Sequence, residues 1–252
     1  MNTAGQTTCP SIGCKRRLRV LITAGPTREP IDPVRFISNY STGYMGARLA
    51  AEALRRGHQA TVISGPVTEP YPQAAYVVPV SKAHELERAL RRRAPGADVI
   101  VMAAAVADFQ PARAAAVKLP RRAAVTLKLR ATPDIIARLP RRPQQVVAGF
   151  AVETGPSAVS RAQRKLREKR LDVLLAQQAG PSADAGGRAG APFGRRKVRA
   201  WLLDRSGAVE DLGSLSKQDV ARVLLDKVEA LWYGQRRLAA LTKAADGATT
   251  TA

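Results

Sequence analysis

Residues 18–56 of the 252-residue chain read LRVLITAGPTREPIDPVRFISNYSTGYMGARLAAEALRR. The mostly apolar run at 18–24 is typical of a buried strand. Residues 45–56 carry apolar side chains at helical spacing and end before Gly57, which indicates a helix. The loop at 25–43 that joins them is long for a compact domain, and such loops are often functional.

The remainder of the chain continues the alternation of strands and helices. We predict strands at 61–64, 76–80, 98–104, 145–150, 172–176 and 197–204, and helices at 84–93, 157–170 and 217–233. Alternation of this kind builds βαβ units. The predicted fold class is therefore α/β, a three-layer, doubly wound and mostly parallel sheet.

One segment interrupts this pattern and is predicted to form an excursion from the sheet. Residues 108–132, which we call the flap, are rich in Ala, Arg and Pro, and an alternating stretch at 125–129 indicates a strand. Residues 133–139 are then predicted to form a short helix, with Thr132 as N-cap and Pro133 at the first position. A Gly, Pro and Ala loop is predicted at 179–195.

The termini differ in composition from the rest of the chain. We expect a disordered tail at 1–16, one domain at 17–237, and a second disordered tail at 238–252. The two cysteines, Cys9 and Cys14, fall in the first tail and are interpreted as free thiols. A chain otherwise without thiols fits a reducing cytoplasm, and no run resembles a membrane span or a signal peptide.

The charge balance leaves several function classes open. The chain has 41 Lys and Arg against 20 Asp and Glu, a net charge of +21. Such an excess attracts nucleic acid, acidic membranes or phosphorylated small molecules. The alternative is that these side chains only form a solvated basic surface. A nucleic-acid-binding module is disfavoured by 4% aromatic content and by the lack of helix-turn-helix or zinc-finger spacing. An NADP-linked reductase is disfavoured because no G-x-G-x-x-G follows the first strand, and no phosphate-loop motif is present.

Ligands of doubly wound sheets bind at the carboxyl ends of the strands, so the residues there are the first candidates. Asn39, Ser41, Thr42 and Gly43 run into a helix, where small residues let backbone N–H groups approach an anion. An ordinary helix cap is the alternative. The strand at 98–104 likewise runs into small residues and one acid, at Ala103, Ala104 and Asp108. Asp108 either binds a hydroxyl group or a metal-bridged phosphate, or is an ordinary turn-forming residue.

Three lysines complete the candidates. Lys118 stands alone in an alanine-rich part of the flap, where a flexible ammonium group can follow a phosphate. Lys165 and Lys169 lie four residues apart, on one helix face, with Glu168 beside them in sequence. Two like charges there are unfavourable unless an anion or an acid lies between them. The alternative for all three is a solvated basic surface.

Taken in order, these segments resemble a known family. TAGPTREPIDPVRFISNYSTGYMG, AAAVADFQP, LKLRATPDII, VAGFAVET, KLREKRLDVLLA and SK follow the pattern of the phosphopantothenoylcysteine synthetase domain, the carboxy-terminal half of the bifunctional bacterial coenzyme A biosynthesis flavoprotein. The resemblance covers residues 17–231. It implies a Rossmann-like fold and a homodimer, with the nucleotide bound near the dimer interface.

The resemblance also implies an activity. The carboxylate of phosphopantothenate attacks the α-phosphate of CTP to give an acyl-cytidylate and pyrophosphate, and the cysteine amine then expels CMP. Mg²⁺ accompanies the triphosphate, with Asp108 as a candidate protein ligand. Since only a short tail precedes the first strand, we expect no bound flavin and a decarboxylase supplied by a separate chain.

The resemblance assigns roles residue by residue. Asn39 matches the asparagine that binds phosphopantothenate and processes the intermediate, and Lys118 matches the catalytic flap lysine, which also binds nucleotide. The other nucleotide-binding matches are Ser41, Gly43, Ala103, Ala104, Asp108, Pro133, Asp134, Ile135, Ile136, Phe150, Lys165 and Lys169. Three positions depart from the family pattern: Tyr44 replaces a lysine, Pro120 lies in the flap motif, and Gln177 replaces an asparagine.

Overall fold

The computed structural model describes residues 16–179 and 192–248. The strands of these residues are β1 (Arg19–Ala24), β2 (Arg28–Pro30), β3 (Phe36–Ser38), β4 (Gln59–Ser64), β5 (Tyr76–Pro79), β6 (Val99–Met102), β7 (Phe109–Pro111), β8 (Leu129–Ala131), β9 (Val146–Thr154), β10 (Val173–Ala179), β11 (Val198–Asp204) and β12 (Val209–Leu215). The helices are α1 (Tyr44–Arg55), α2 (Ala83–Arg93), α3 (Ala158–Glu168) and α4 (Lys217–Ala248).

Eight strands form one mostly parallel sheet in the order β12-β11-β10-β9-β6-β1-β4-β5. The strands from β10 to β5 are parallel, and β11 and β12 add an antiparallel ribbon at one edge. After β1 the chain adds β4 and β5 on one side, then returns to place β6 on the other. The strand order therefore reverses at β1 and β6, which is where doubly wound sheets bind ligands.

Helices cover both faces of the sheet, so the molecule has three layers. Leu49 of α1 and Leu224 of α4 are fully buried in one apolar cluster with alternate strand residues. Leu86 of α2 and Leu166 of α3 belong to a second cluster on the opposite face. The predicted three-layer, doubly wound α/β fold is confirmed.

The flap and the segment after it differ from the prediction. The predicted strand at 125–129 is wrong: β8 begins at Leu129 and pairs only with the three-residue β7. The predicted helix at 133–139 is wrong as well, because these residues form a turn. The Asp134 carboxylate accepts the N–H groups of Ile136 and Ala137, both at 3.1 Å, and such local bonds satisfy one turn without extending a helix.

Thr132, predicted to cap that helix, instead donates its hydroxyl to the Ala107 carbonyl at 2.6 Å. The last helix runs to Ala248 and not to Tyr233, since residues after 233 are rich in Ala, Leu, Lys and Arg, which favour helix. The boundary predicted at 237 thus falls inside α4. The strands β2, β3, β7 and β12 were not predicted. Cys9, Cys14 and most of the predicted 179–195 loop lie outside the described residues.

No helix in the described part of the chain is both long enough and apolar enough to cross a membrane.

Candidate functional site

A cleft of about 640 Å³ lies at the carboxyl ends of β1, β6, β9 and β10, where the strand order reverses. The structure brings together in it every site residue that the sequence predicts, except Lys118. Those lining the cleft are Asn39, Ser41, Gly43, Ala103, Ala104, Asp108, Pro133, Asp134, Ile135, Ile136, Phe150, Lys165 and Lys169. Their common position follows from the parallel sheet, which directs all of these strand ends to one edge.

One wall of the cleft is the turn that begins α1. Gly43 stands at the N-cap position with φ of 79°, and no side chain caps the helix there. A Cβ at Gly43 would lie 2.6 Å from Cγ1 of Val67, so the turn requires glycine for space as well as for conformation. The hydroxyl of Thr42 accepts the N–H of Tyr44, the first residue of α1, at 3.4 Å. Beyond this bond the helix start has no side-chain cap, and its backbone N–H groups and positive dipole end suit an anion in the cleft.

Asn39 joins this wall to the end of β6. Its side-chain amide donates to the carbonyl oxygens of Ala105 at 3.0 Å and Val106 at 3.1 Å. The same two segments are linked by a backbone bond from Thr27 to Ala105 at 3.2 Å and by the Thr27 hydroxyl, which accepts the Ala107 N–H at 3.0 Å. Asn39 therefore fixes the position of the small residues that follow β6.

The opposite wall carries two lysines of α3, each paired with an acid from another element. Lys165 Nζ lies 2.7 Å from Glu153 Oε1 on β9, and Lys169 Nζ lies 3.4 Å from Asp134 Oδ2. Burial raises the pKa of Glu153, but Lys165 and Arg161 lower it more, so the pKa of this carboxyl lies below its ordinary value. The acids that separate the like charges are thus Glu153 and Asp134, whereas Glu168 pairs with Arg164.

Lys118 does not line the cleft. Its side chain is exposed, and the flap beside it is held to the β1–α1 loop: Leu119 N–H donates to the Asp32 carboxylate at 3.1 Å, and Arg35 donates to the Leu119 carbonyl at 2.8 Å. Lys118 can reach a ligand in the cleft only if its side chain or the surrounding flap moves.

The further residues that line the cleft, which sequence reasoning did not assign to the site, include Tyr44, Gln177 and Lys217. The Tyr44 ring contacts two guanidinium groups, with Arg48 at 5.0 Å and Arg195 at 5.3 Å from its centroid. Lys217 is 4% exposed and donates to Gln177 Oε1 at 3.2 Å. The signal for Lys217 is Ser216-x-x-Asp219, a helix-start pattern that makes the lysine the first residue of α4.

The described residues contain no group of three or more His, Cys, Asp and Glu side chains that would hold a metal by themselves. Mg²⁺ in nucleotide sites is bound by one or two carboxylates together with substrate phosphates. Asp108, exposed at the cleft wall, fits the part of a single carboxylate ligand for a metal that arrives with a triphosphate.

The doubly wound sheet, with its cleft at the strand-order reversal, belongs to the Rossmann-like class of α/β proteins. Within that class, the chain belongs to the family described as the DNA/pantothenate metabolism flavoprotein C-terminal domain, which matches residues 16–231. The resemblance predicted from the sequence is confirmed.

Individual relatives agree with this assignment. The chain is 37% identical over 217 residues to a cysteine/cysteine sulfinic acid decarboxylase of an unknown prokaryotic organism, covering 84% of this chain and 58% of that protein. It is 36% identical over 215 residues to coenzyme A biosynthesis bifunctional protein CoaBC of Bacillus subtilis (strain 168), covering 84% and 51%. The chain thus spans little more than half the length of these curated relatives.

A solved structure supports the fold directly. The crystal structure of the C-terminal domain of coenzyme A biosynthesis bifunctional protein CoaBC is similar with a TM-score of 0.70 and 31% identity, covering 86% of this chain and 96% of that one. The part of the longer relatives that this chain matches is therefore their C-terminal domain.

Proposed function

We propose that the chain is a phosphopantothenate–cysteine ligase that uses CTP. The observation that carries the proposal is the gathering, in one cleft, of the residues that match the family's substrate and nucleotide positions. An uncapped helix start and paired lysines suit a phosphorylated substrate and a triphosphate, and the membership of the family of CoaBC C-terminal domains supports the substrates.

The first step forms a bond between a carboxylate oxygen of phosphopantothenate and the α-phosphorus of CTP, and breaks the bond to pyrophosphate. Such a transfer needs positioned cations and N–H groups more than a nucleophile from the protein. The α1 start and Lys165 and Lys169 bind the nucleotide, and Lys118 moves over it as the flap closes. Mg²⁺ supplies charge neutralisation on the triphosphate when bound.

In the second step the amine of cysteine attacks the acyl carbon, CMP leaves with the bonding electron pair, and the amine loses a proton. Asn39, held against Ala105 and Val106, positions the intermediate for this attack. No covalent bond to the protein forms in either step. The products are phosphopantothenoylcysteine, pyrophosphate and CMP.

The proposal includes a homodimer. The β2–β3 hairpin and the flap expose an unusual number of large apolar side chains, which we call the apolar face: Val34, Phe36, Val117, Val125, Leu127 and Leu129, each 40–73% exposed. Exposed apolar side chains in this number are typical of an interaction site, and a two-fold contact would cover them on both protomers. The flap that carries Lys118 would then lie at the interface.

A pyrophosphate-release assay with phosphopantothenate, CTP and Mg²⁺, with and without cysteine, tests this function. We expect release to need phosphopantothenate, and cysteine to convert a single turnover into steady turnover. Titrations with NADPH, and with duplex DNA at two salt concentrations, test the other classes, since nucleic-acid binding weakens steeply with salt. Absence of phosphopantothenate-dependent pyrophosphate release would contradict the proposal.

A further inference from the structure

Lys217 is the most deeply buried lysine of the cleft. Ser216 precedes it and accepts the N–H of Asp219 at 3.2 Å, which caps α4 and fixes Lys217 as the first residue of the helix. The residue is 4% exposed, yet its side chain lines the cleft. The helix cap thus fixes the position of the Lys217 backbone, and its buried side chain forms part of the cleft wall.

The partners of Lys217 are neutral, unlike those of the other cleft lysines. Its Nζ donates to Gln177 Oε1 at 3.2 Å and to the Pro192 carbonyl at 2.6 Å. Lys165 and Lys169, in contrast, have Glu153 and Asp134. Among the residues that the structure describes, no carboxylate lies within 4.0 Å of Lys217 Nζ.

The carboxylates of neighbouring helices bind partners other than Lys217. Glu52 of α1 binds Arg55 and Arg56, and Asp219 of α4 binds Ser216 and Arg222. An ammonium group has three donors, and two carbonyl oxygens leave one of them for a ligand. A buried cation without a counter-ion is unfavourable, and an anion in the cleft would remove that penalty.

We propose that the ammonium group of Lys217 is an anion-binding group of the cleft and binds a phosphate group of one of the two phosphorylated substrates, CTP or phosphopantothenate. The choice of these ligands rests on the proposed function. The chemistry is shared, because both offer phosphate oxygens that accept a charge-assisted hydrogen bond. Lys217 is thereby a binding residue in addition to the lysines matched to the family.

The free state gives this proposal a second measurable consequence. Burial lowers the pKa of Lys217 to about 8. A bound phosphate stabilises the charged form and raises the pKa again, so at pH 8 binding should take up protons. A lysine that only holds Gln177 and Pro192 in place would keep its pKa on binding and would take up none.

The experiment is isothermal titration of CTP and of phosphopantothenate, separately, into the wild type and Lys217→Met at pH 8, in two buffers of different ionisation enthalpy. Methionine keeps the apolar stem and removes the ammonium group, that is, the charge and the donors to Gln177 and Pro192. We expect the dissociation constant for one ligand to rise roughly 10- to 100-fold, with loss of its proton uptake. The ligand affected identifies which phosphate Lys217 binds.

Lys227→Met is the matched control, since Lys227 lies on the same helix but pairs with Asp204 outside the cleft. It should leave both titrations unchanged. If Lys217→Met binds both ligands as the wild type does, the inference is wrong. Lys217→Gln, which also removes the charge but keeps a hydrogen-bond donor, takes the place of Lys217→Met if that variant does not fold, and the same outcome decides it.

Failure of the proposed function has a different signature, in which the wild type binds neither CTP nor phosphopantothenate. Inorganic pyrophosphate then serves as the probe. Pyrophosphate binding that Lys217→Met abolishes would support an anion site for another phosphorylated ligand. Pyrophosphate binding that is absent, or unchanged in Lys217→Met, would overturn the inference.

Discussion

The carboxylate of Asp32 accepts the backbone N–H of Leu119 at 3.1 Å, which ties the flap next to Lys118 to the loop that follows β1. The same carboxylate binds Arg35 and accepts the N–H of Val34 at 2.9 Å, and its side chain is fully buried. These bonds, chiefly the one from Arg35, hold the pKa of Asp32 well below its ordinary range. The flap therefore has an anchor beside its lysine.

We expect Asp32→Ala to slow pyrophosphate release about 10-fold, because the segment that carries Lys118 would lose its anchor. The variant should also unfold more easily, since the N–H groups of Val34, Arg35 and Leu119 and the Arg35 side chain lose an acceptor. A double-mutant cycle with Lys118→Gln isolates the positioning effect. Equal rate losses from Asp32→Ala in the wild-type and Lys118→Gln backgrounds would show that the anchor does not act through Lys118.

The contrast between the sheet and the flap shows how far sequence reasoning reaches. The run at β6 is apolar throughout and that at β1 is apolar apart from Arg19 and Thr23, as is typical of strands buried on both faces, so their place in the sheet was predictable. The cleft followed, because parallel strands bring their carboxyl ends together. The flap is not buried in the sheet in this way. Its alternating residues 125–128 do not pair with another strand, and strand pairing starts only at Leu129.

Lys217 illustrates a second limit of sequence reasoning. The SK segment that contains it follows the family pattern, and the helix-start pattern places it at the first turn of a helix, but neither shows that the side chain is buried. Its burial depends on Gln177 and Pro192, which lie 40 and 25 residues away along the chain. The predicted helix at 133–139 was wrong for a local reason instead, because the Asp134 carboxylate accepts the backbone N–H groups of Ile136 and Ala137 within a single turn.

The apolar face predicts an effect on assembly. We expect Val125→Asp, on the flap, to weaken the dimer at least about 10-fold, since a charge would be buried at the contact. Sedimentation velocity at micromolar concentration measures the change. Val209→Asp is the control, because Val209 is also an exposed valine, at 41%, but lies on β12 away from the flap. A wild type that sediments as a monomer would refute the dimer.

Glu52 predicts a pH dependence of stability. The hydrogen bond from Arg55, with a second from Arg56, lowers the pKa of Glu52 to about 2, although burial raises it. A depressed carboxyl pKa stabilises the fold above the unfolded value of about 4.3, and the contribution is lost as the pH falls toward the folded value. The ionised group therefore stabilises the fold at pH 7.

Glu52→Gln should lower the unfolding free energy at pH 7 by about 1–3 kcal/mol, and the difference from the wild type should shrink between pH 4 and pH 2. Urea denaturation across this range measures it. Glu168→Gln is the matched control, because its partner Arg164 is 3.8 Å away and both side chains are exposed. Its effect should stay below about 0.5 kcal/mol. A Glu52→Gln difference that does not depend on pH would contradict the assignment.

Asn39 tests the second half-reaction. Asn39→Asp would place a carboxylate against the carbonyl oxygens of Ala105 and Val106 in place of a donor. We expect pyrophosphate release to persist while product formation falls, so that acyl-cytidylate accumulates, as the family's intermediate-processing role implies. Quenched-flow analysis of both products measures the ratio. Normal yields of phosphopantothenoylcysteine would remove Asn39 from the mechanism.

Lys118 tests the first half-reaction. The side chain is exposed and outside the cleft, so it contributes to catalysis only after the flap closes over the triphosphate. A cation that acts mainly in the transition state lowers the barrier with little effect on ground-state binding. We therefore expect Lys118→Gln to slow single-turnover pyrophosphate release by roughly 10²-fold, the scale of losing one electrostatic donor. CTP affinity should fall much less.

The matched control for this variant is Lys128→Gln, an exposed lysine of the same flap. It removes the same charge from the same segment, so a rate loss shared by both variants would indicate a general electrostatic effect of the flap and not a contact of Lys118. Stability should not separate them, because exposed lysines make few core contacts. The assignment requires that Lys118→Gln alone slows the first step, that Lys128→Gln keeps the wild-type rate, and that saturating CTP does not restore the Lys118→Gln rate. An unchanged first-step rate in Lys118→Gln would leave Lys118 a solvated side chain, and the cations acting on the triphosphate would then be those that already line the cleft.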